Sequence, residues 1–185
     1  MKKISVIVPC KNEELNIKNC YDEIKKVLEK YNTEFDYEII FIDNASNDKT
    51  VEEIKKLTSI DKKLKAIINS RDFGQVRSPY YAMLQATGDV IISVNSDMQT
   101  PINLIEDFVE EWKKGYLMVL AIRNESHESL FLKTFKNLYY KILAKISNVD
   151  VFPNFIGFGL YDRKIIEIFR KIKTINPYLR GMVSE

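Results

Sequence analysis

The chain has 185 residues, 45% apolar and 29% charged, which is ordinary for a soluble protein and enough for one domain with its own core. A formal net charge of +2 gives no global argument for nucleic acid or for an acidic partner. The two cysteines, Cys10 and Cys20, lack a metal-ligand spacing and suit a reducing cytoplasm, and no run of about 18 apolar residues exists to span a membrane.

The N-terminus enters a strand almost at once, Ile4 to Val8, ending at Pro9, without a signal-peptide pattern. Leu15, Ile17, Tyr21, Ile24, Val27 and Leu28 set a helical rhythm over Glu14 to Lys30. Tyr37 to Ile42 is a second strand closed by Asp43-Asn44-Ala45-Ser46, with Ser46 or Asn47 as the expected cap of a helix from Asp48 to Thr58. Leu64 to Ile68 reads as a third strand, and Gln75 to Ala86 as a helix whose firm start Pro79 places near Ser78. The apolar run Val90 to Val94 is a buried strand. Pro101 opens a helix that Gly115 ends, and Tyr116 to Ile122 is a fifth strand.

Beyond a polar loop, Leu130 to Ile146 predicts a helix with Phe131, Phe135, Leu138 and Ile142 on one stripe. Two readings stay open for it: packing on the sheet with its lysines in water, or a peripheral contact with an anionic membrane surface. Phe155 to Tyr161 is strand-like, and Asp162 caps a helix from Arg163 to Ile172. The end, Tyr178 to Glu185, has the character of an entry to another element. The chain therefore reads as a single domain, 1–185, truncated at its C-terminus.

This alternation predicts an α/β fold with a mostly parallel central sheet covered on both faces. In such a sheet the segments after strands one, two and four share one rim, where ligands bind. That rim gathers Pro9 to Glu13, Asp43 to Ser46 and Asn95 to Gln99, all rich in Asp, Asn, Glu and Ser. Oxygen ligands two residues apart in Asn95-Ser96-Asp97-Met98-Gln99 suit one hard divalent cation, and such a cation commonly carries a diphosphate. Neither GxGxxG nor GxxxxGK[ST] is present, so a bound diphosphate must be neutralised by a metal or by Arg and Lys. For any one loop, the plainer reading is that its polar residues cap helices and form turns.

Val6-Ile7-Val8-Pro9-Cys10-Lys11-Asn12-Glu13-Glu14 and Ile40-Phe41-Ile42-Asp43-Asn44-Ala45-Ser46 look like the opening motifs of family-two glycosyltransferases of the GT-A fold. Ser70-Arg71-Asp72-Phe73-Gly74-Gln75 resembles the SRNFGQ-like segment of the dolichyl- or polyprenyl-phosphate sugar synthase branch. Ala86-Thr87-Gly88-Asp89 and Asn95-Ser96-Asp97-Met98-Gln99-Thr100-Pro101 are similar to its AxGD and DADLQDP-like segments. Gly157-Phe158-Gly159-Leu160-Tyr161-Asp162-Arg163 stands where relatives carry a DFRLxDR-like acceptor segment.

The resemblance implies a Rossmann-like three-layer sandwich that takes a UDP- or GDP-linked sugar and transfers it with inversion. The acceptor would be a polyprenyl phosphate or a glycan, in cell-envelope or glycan biosynthesis at the cytoplasmic face of a membrane. Pro9, Lys11, Glu13, Asp43, Asn44, Asn95 and Ser96 would bind the nucleotide sugar. Asp97, with Asn95 and Gln99, would hold Mg²⁺ or Mn²⁺. Asp97 and Arg123 would be catalytic, and Lys133, Arg163 and Arg180 would face the acceptor. The chain departs from the pattern at Lys11 (a frequent Tyr), Asn44 (the second Asp of an Asp-Asp pair), Asn95 (the first Asp of the metal motif) and Gly159 (a common Arg). The alternative is a non-catalytic nucleotide-sugar binder with a degenerate metal motif.

Overall fold

The computed structural model describes residues 1–98, 101–122, 155–172, 174, 177 and 179–182, without the side chains of Phe155, Ile156 and Arg180. Gln99, Arg123, Lys133 and the predicted helix 130–146 lie outside the described residues.

Six strands form one sheet: β1 (Lys2–Cys10), β2 (Phe35–Asp43), β3 (Leu64–Ile68), β4 (Val90–Ser93), β5 (Met118–Ile122) and β6 (Phe155–Asp162). Their order is β3-β2-β1-β4-β6-β5. The first four run parallel, and β6 lies antiparallel between β4 and β5. The helices are α1 (Ile17–Glu29), α2 (Thr50–Ile60), α3 (Gly74–Gln85), α4 (Leu104–Lys113), α5 (Arg163–Lys171) and the short α6 (Leu179–Met182).

The pleat explains the three layers. On β1, Ile4, Val6 and Val8 point to one face and Ile7 to the other, and every one of them is fully buried. The first face receives Ile17, Cys20, Ile24 and Leu28 of α1, Ile54 of α2, and Ile105, Val109 and Trp112 of α4. The second receives Tyr80 and Met83 of α3 and Ile166 and Phe169 of α5, with Leu179 of α6 packed against them. Each fully buried aliphatic side chain contributes roughly 1.5–3 kcal/mol, so burial on both faces explains why β1, β2 and β4 read as near-continuous apolar runs.

Local signals held in part. Asp162 caps α5, its Oδ1 accepting from Lys164 N at 2.9 Å, as the sequence predicts. Gly115 ends the α4 region at φ +104°. The cap of α2 differs. Ser46 turns back to Asp43, and Asp48 instead accepts from Thr50 N at 3.0 Å, so α2 begins at Thr50. Likewise α3 starts at Gly74, ahead of Pro79, because Asp72 Oδ1 accepts from Gly74 N at 2.7 Å and fixes the first turn.

The segment Ala86-Thr87-Gly88-Asp89 staples the rim opposite the C-terminal strand ends. Thr87 N donates to Glu38 Oε1 at 2.7 Å, Gly88 N to Ser5 Oγ at 2.8 Å, and Lys3 N to Asp89 Oδ2 at 2.7 Å. A Cβ at Gly88 would lie 2.7 Å from Lys3 O and 2.8 Å from Ser5 N, both backbone atoms of a central strand. Gly88→Ala should therefore destabilise the fold by at least about 2 kcal/mol, read as a lowered urea midpoint at unchanged m-value.

Candidate functional site

The carboxyl ends of the parallel strands open into one cavity of about 730 Å³. Pro9, Lys11 and Glu13 reach it from the end of β1 and the segment after it, Asn44 from the end of β2, and Asn95, Ser96 and Asp97 from beyond β4. The three loops expected on one rim thus meet at one space. Each also carries a non-glycine residue at positive φ: Asn12 at 56°, Ala45 at 59° and Met98 at 57°. Such backbone costs of order 1 kcal/mol or more and clusters at functional sites, where surrounding contacts hold it.

Those contacts show a division of labour. Asn12 N donates to Ser46 Oγ at 2.8 Å, Asn47 N to Asn12 Oδ1 at 2.9 Å, Glu13 N to Thr50 Oγ1 at 2.8 Å, and Lys49 N to Glu14 Oε2 at 2.8 Å. These side chains lace the first two loops together, as the plainer turn-and-cap reading holds. Asp43 belongs with them. It is fully buried, its carboxylate accepts from Ser46 N and Oγ, and it supports the turn from behind the cavity wall rather than lining it.

Arg163 is a correction. It follows Asp162, the partner of Val90 at the start of β4, so it sits on the opposite rim from the cavity. Its guanidinium donates to Gly88 O and, at 2.8 Å, to Ala86 O, closing the staple described above. The antiparallel direction of β6 carries it there, and that direction was not evident from the segment's composition. Arg180 falls within α6, next to Leu179, which lines the cavity.

A fourth wall escaped the sequence reading. Asp72, Gly74, Gln75 and Val76, after β3 and at the start of α3, face the same cavity. Asp72 pairs with Lys11 and accepts from Asn44 Nδ2 at 2.6 Å. The Lys11 ammonium is the main reason its carboxyl lies below the usual range, with the Gly74 N–H adding to it. The rim rule that gathered the other loops would have found it, since it too follows a parallel strand. Gly157 borders the cavity on the far side, and there is open space where its Cβ would be. At Gly159 a Cβ would meet Val119 O at 3.0 Å and Leu120 Cδ2 at 3.1 Å, so the sheet itself favours glycine there.

The cavity's ionisable groups include Glu13, Asp72 and Asp97 against Lys11. Burial pushes the Cys10 thiol far up and that of Cys20 up to about 12, which leaves both as inert thiols rather than nucleophiles. Among the described residues, no three Asp, Glu, His or Cys side chains converge as a metal site. Asp97 and Asn95 do both line the cavity. One carboxylate with a carboxamide oxygen is a donor set that fits a hard cation shared with substrate phosphates, not a cage built by protein alone.

Solved structures share this fold. A mannosyltransferase from Pyrobaculum calidifontis, in complex with GDP-Man and Mn²⁺, matches 91% of this chain and 46% of its own at 18% identity and TM-score 0.62. S. aureus TarS in complex with UDP-GlcNAc matches 91% and 47% at 20% identity and TM-score 0.58. The three-layer α/β architecture is the GT-A fold. Among curated proteins, the glycosyltransferase YkcC of Bacillus subtilis is 34% identical over 97% of this chain and 55% of its own length. A prophage bactoprenol glucosyl transferase homolog of Escherichia coli is 32% identical over 98% of this chain and 59% of its own. The chain spans little more than half the length of these relatives. The model of glycosyl transferase family 2 matches residues 5–169, and the chain belongs to that family.

Proposed function

We propose that this chain is the single GT-A domain of a transferase that binds a UDP- or GDP-linked sugar in the rim cavity. It would pass the sugar with inversion to a polyprenyl-phosphate acceptor, a glycan hydroxyl being the second choice. The observation that supports this best is the meeting of three strained loops at one cavity, with Asp97 and Asn95 at its β4 end. Relatives named bactoprenol glucosyl transferases support the lipid-phosphate acceptor and a place at a membrane surface. Among the described residues no helix is long and apolar enough to cross a membrane.

The chain's own residues divide the work. Pro9, Lys11, Glu13 and Asn44 form the wall that would take the nucleoside. Asp97, with Asn95, would hold Mg²⁺ or Mn²⁺ together with the donor's diphosphate. When bound, such a cation stabilises charge developing on the departing nucleoside diphosphate. Inversion requires one in-line displacement, so the domain must bind donor and acceptor together and exclude water. A phosphate oxygen is already an anion and needs positioning and charge compensation, for which Arg123 and Lys133 are the candidates. A sugar hydroxyl would need a carboxylate base within hydrogen-bond reach.

The rival reading is a non-catalytic binder, favoured by Asn95 and by the lack of converging carboxylates among the described residues. Calorimetry separates the two. Without nucleotide, Mn²⁺ should bind only weakly. With Mn²⁺, UDP or GDP should bind at least about tenfold tighter than in EDTA, because cation and diphosphate complete each other's coordination. Nucleotide affinity indifferent to Mn²⁺, and unchanged in Asp97→Ala, would overturn the metal-assisted transferase.

A further inference from the structure

Two departures from the family pattern, Lys11 and Asn44, touch a third residue, Asp72, which stands where the SRNFGQ-like segment has Asn. Asn44 Nδ2 donates to Asp72 Oδ1 at 2.6 Å, and Asn44 Oδ1 accepts from Phe73 N at 2.9 Å and from Asn69 Nδ2 at 3.2 Å. Position 44 must therefore give a donor to one side and an acceptor to the other. Asparagine does both, whereas an aspartate would set two carboxylates against each other. An Asp at 44 facing an Asn at 72, as in the motifs this chain resembles, could form the same bond with its polarity reversed. In this chain the carboxylate stands on the Asp72 side of the crevice, where Lys11 pairs with it.

The wall's place in the cavity gives this exchange a consequence. Asp72 follows β3 and Asp97 follows β4, and β3 and β4 are three inter-strand steps apart, or roughly 14 Å. Since Asp72 and Asp97 line one cavity, a donor whose diphosphate lies by Asp97 can reach Asp72 with its nucleoside. Asp72 Oδ1 is filled by Asn44 Nδ2 and Gly74 N, whereas Oδ2 accepts from Lys11. A carboxylate has about four acceptor sites, so Oδ2 keeps one for a ligand, and the side chain is 48% exposed.

We propose that Asn44 and Asp72 are an exchanged carboxamide–carboxylate pair acting as one unit: Asp72 offers the donor's nucleoside a carboxylate oxygen, and Asn44 is the positioning residue that holds it. Asn44 is then no relic of a lost ligand. This inference rests on the nucleotide-sugar reading above.

The test measures binding of UDP and GDP with Mn²⁺ to the chain and its variants between pH 5 and 8. Thermal melts confirm that each variant is folded. Asn44→Asp should weaken binding about tenfold at pH 8, because adjacent carboxylates repel and Asp72 swings away. Relative to the unaltered chain at the same pH, its affinity should recover as the pH falls and the two carboxyls share a proton. Asn44→Asp combined with Asp72→Asn should restore affinity to within about threefold at pH 8. Full affinity of Asn44→Asp at pH 8, or a double variant no better than the single, overturns the exchange while leaving the donor reading in place. Failure of the unaltered chain to bind either nucleotide overturns both.

Discussion

Asp97→Ala should lower the proposed sugar transfer by a factor on the order of 10²–10³, the usual effect of removing one preorganised electrostatic contact at a site of developing charge. The loss should fall on kcat more than on KM, because the charge on the leaving nucleoside diphosphate grows between ground state and transition state. Asp97 is the sole carboxylate of the loop after β4, its neighbour two residues back being Asn95. An ordinary site of this kind with two carboxylates would lose less from one of them. Asn95→Asp is the converse: a second carboxylate should tighten Mn²⁺ in the nucleotide complex, measured as a leftward shift of the metal-activation curve. If Asp97→Ala transfers at the rate of the unaltered chain, metal assistance through this loop is refuted. If Asn95→Asp leaves metal activation unmoved, the carboxamide does not face the cation.

Glu38→Ala should produce the largest loss of stability. The carboxylate is 1% exposed yet accepts four hydrogen bonds, from Ser5 Oγ at 2.7 Å, Thr87 N at 2.7 Å, Thr87 Oγ1 at 2.9 Å and Lys65 Nζ, with Lys3 Nζ paired to it at 3.4 Å. Burial alone would raise its pKa, but the bonds from Lys65, Ser5 and Thr87 outweigh that and bring it from an ordinary 4.5 to about 2. The difference is worth roughly 3 kcal/mol. Since the native state holds the proton less tightly than the unfolded chain, this stability is complete above pH 4.5. It is lost as the pH falls toward 2. Removing the carboxylate also leaves the Ser5 O–H and the Thr87 N–H without an acceptor, so about 3 kcal/mol or more should disappear at neutral pH, a fall in Tm of roughly 6–12 °C. Glu38→Gln should keep the shape but flatten the acid limb of the stability curve between pH 4.5 and 2. An acid limb as steep as that of the unaltered chain would show that another carboxylate controls it.

Much of this was legible in the sequence because each element advertised itself twice. The strand at Val90 announced itself by an apolar run and by the Asn-Ser-Asp loop after it. The α1 helix showed a rhythm whose Ile17, Tyr21, Ile24, Val27 and Leu28 are all buried, with Cys20 joining them and Leu15 lying exposed ahead of the helix. What stayed hidden depended on long-range pairing. That β6 runs backwards between β4 and β5 is decided by its partners, and it reverses where Arg163 lies. The sequence offered Ser46 or Asn47 as a helix cap, but the fully buried Asp43 takes the Ser46 hydroxyl. Asp72 was quoted within a motif but assigned no role, because what it does depends on Lys11 and Asn44, far away in the chain. Read alone, Asn44 looks like a lost ligand; beside Asp72 it completes a hydrogen bond.

The pairing of β5 with β6 has a consequence for how such a domain can diversify. Ile122 and Phe155 are register partners across an antiparallel pair, so the sheet leaves and re-enters at neighbouring points beside the cavity's rim. A turn of a few residues would suffice to join them, and longer joins add little closure entropy, about 0.6 kcal/mol for each doubling of length. The strand pairing itself therefore sets no length for the chain between these two partners. Segments of different size could be exchanged there over evolutionary time, or by an engineer, while the pairing of β1, β2, β3 and β4 remains unchanged.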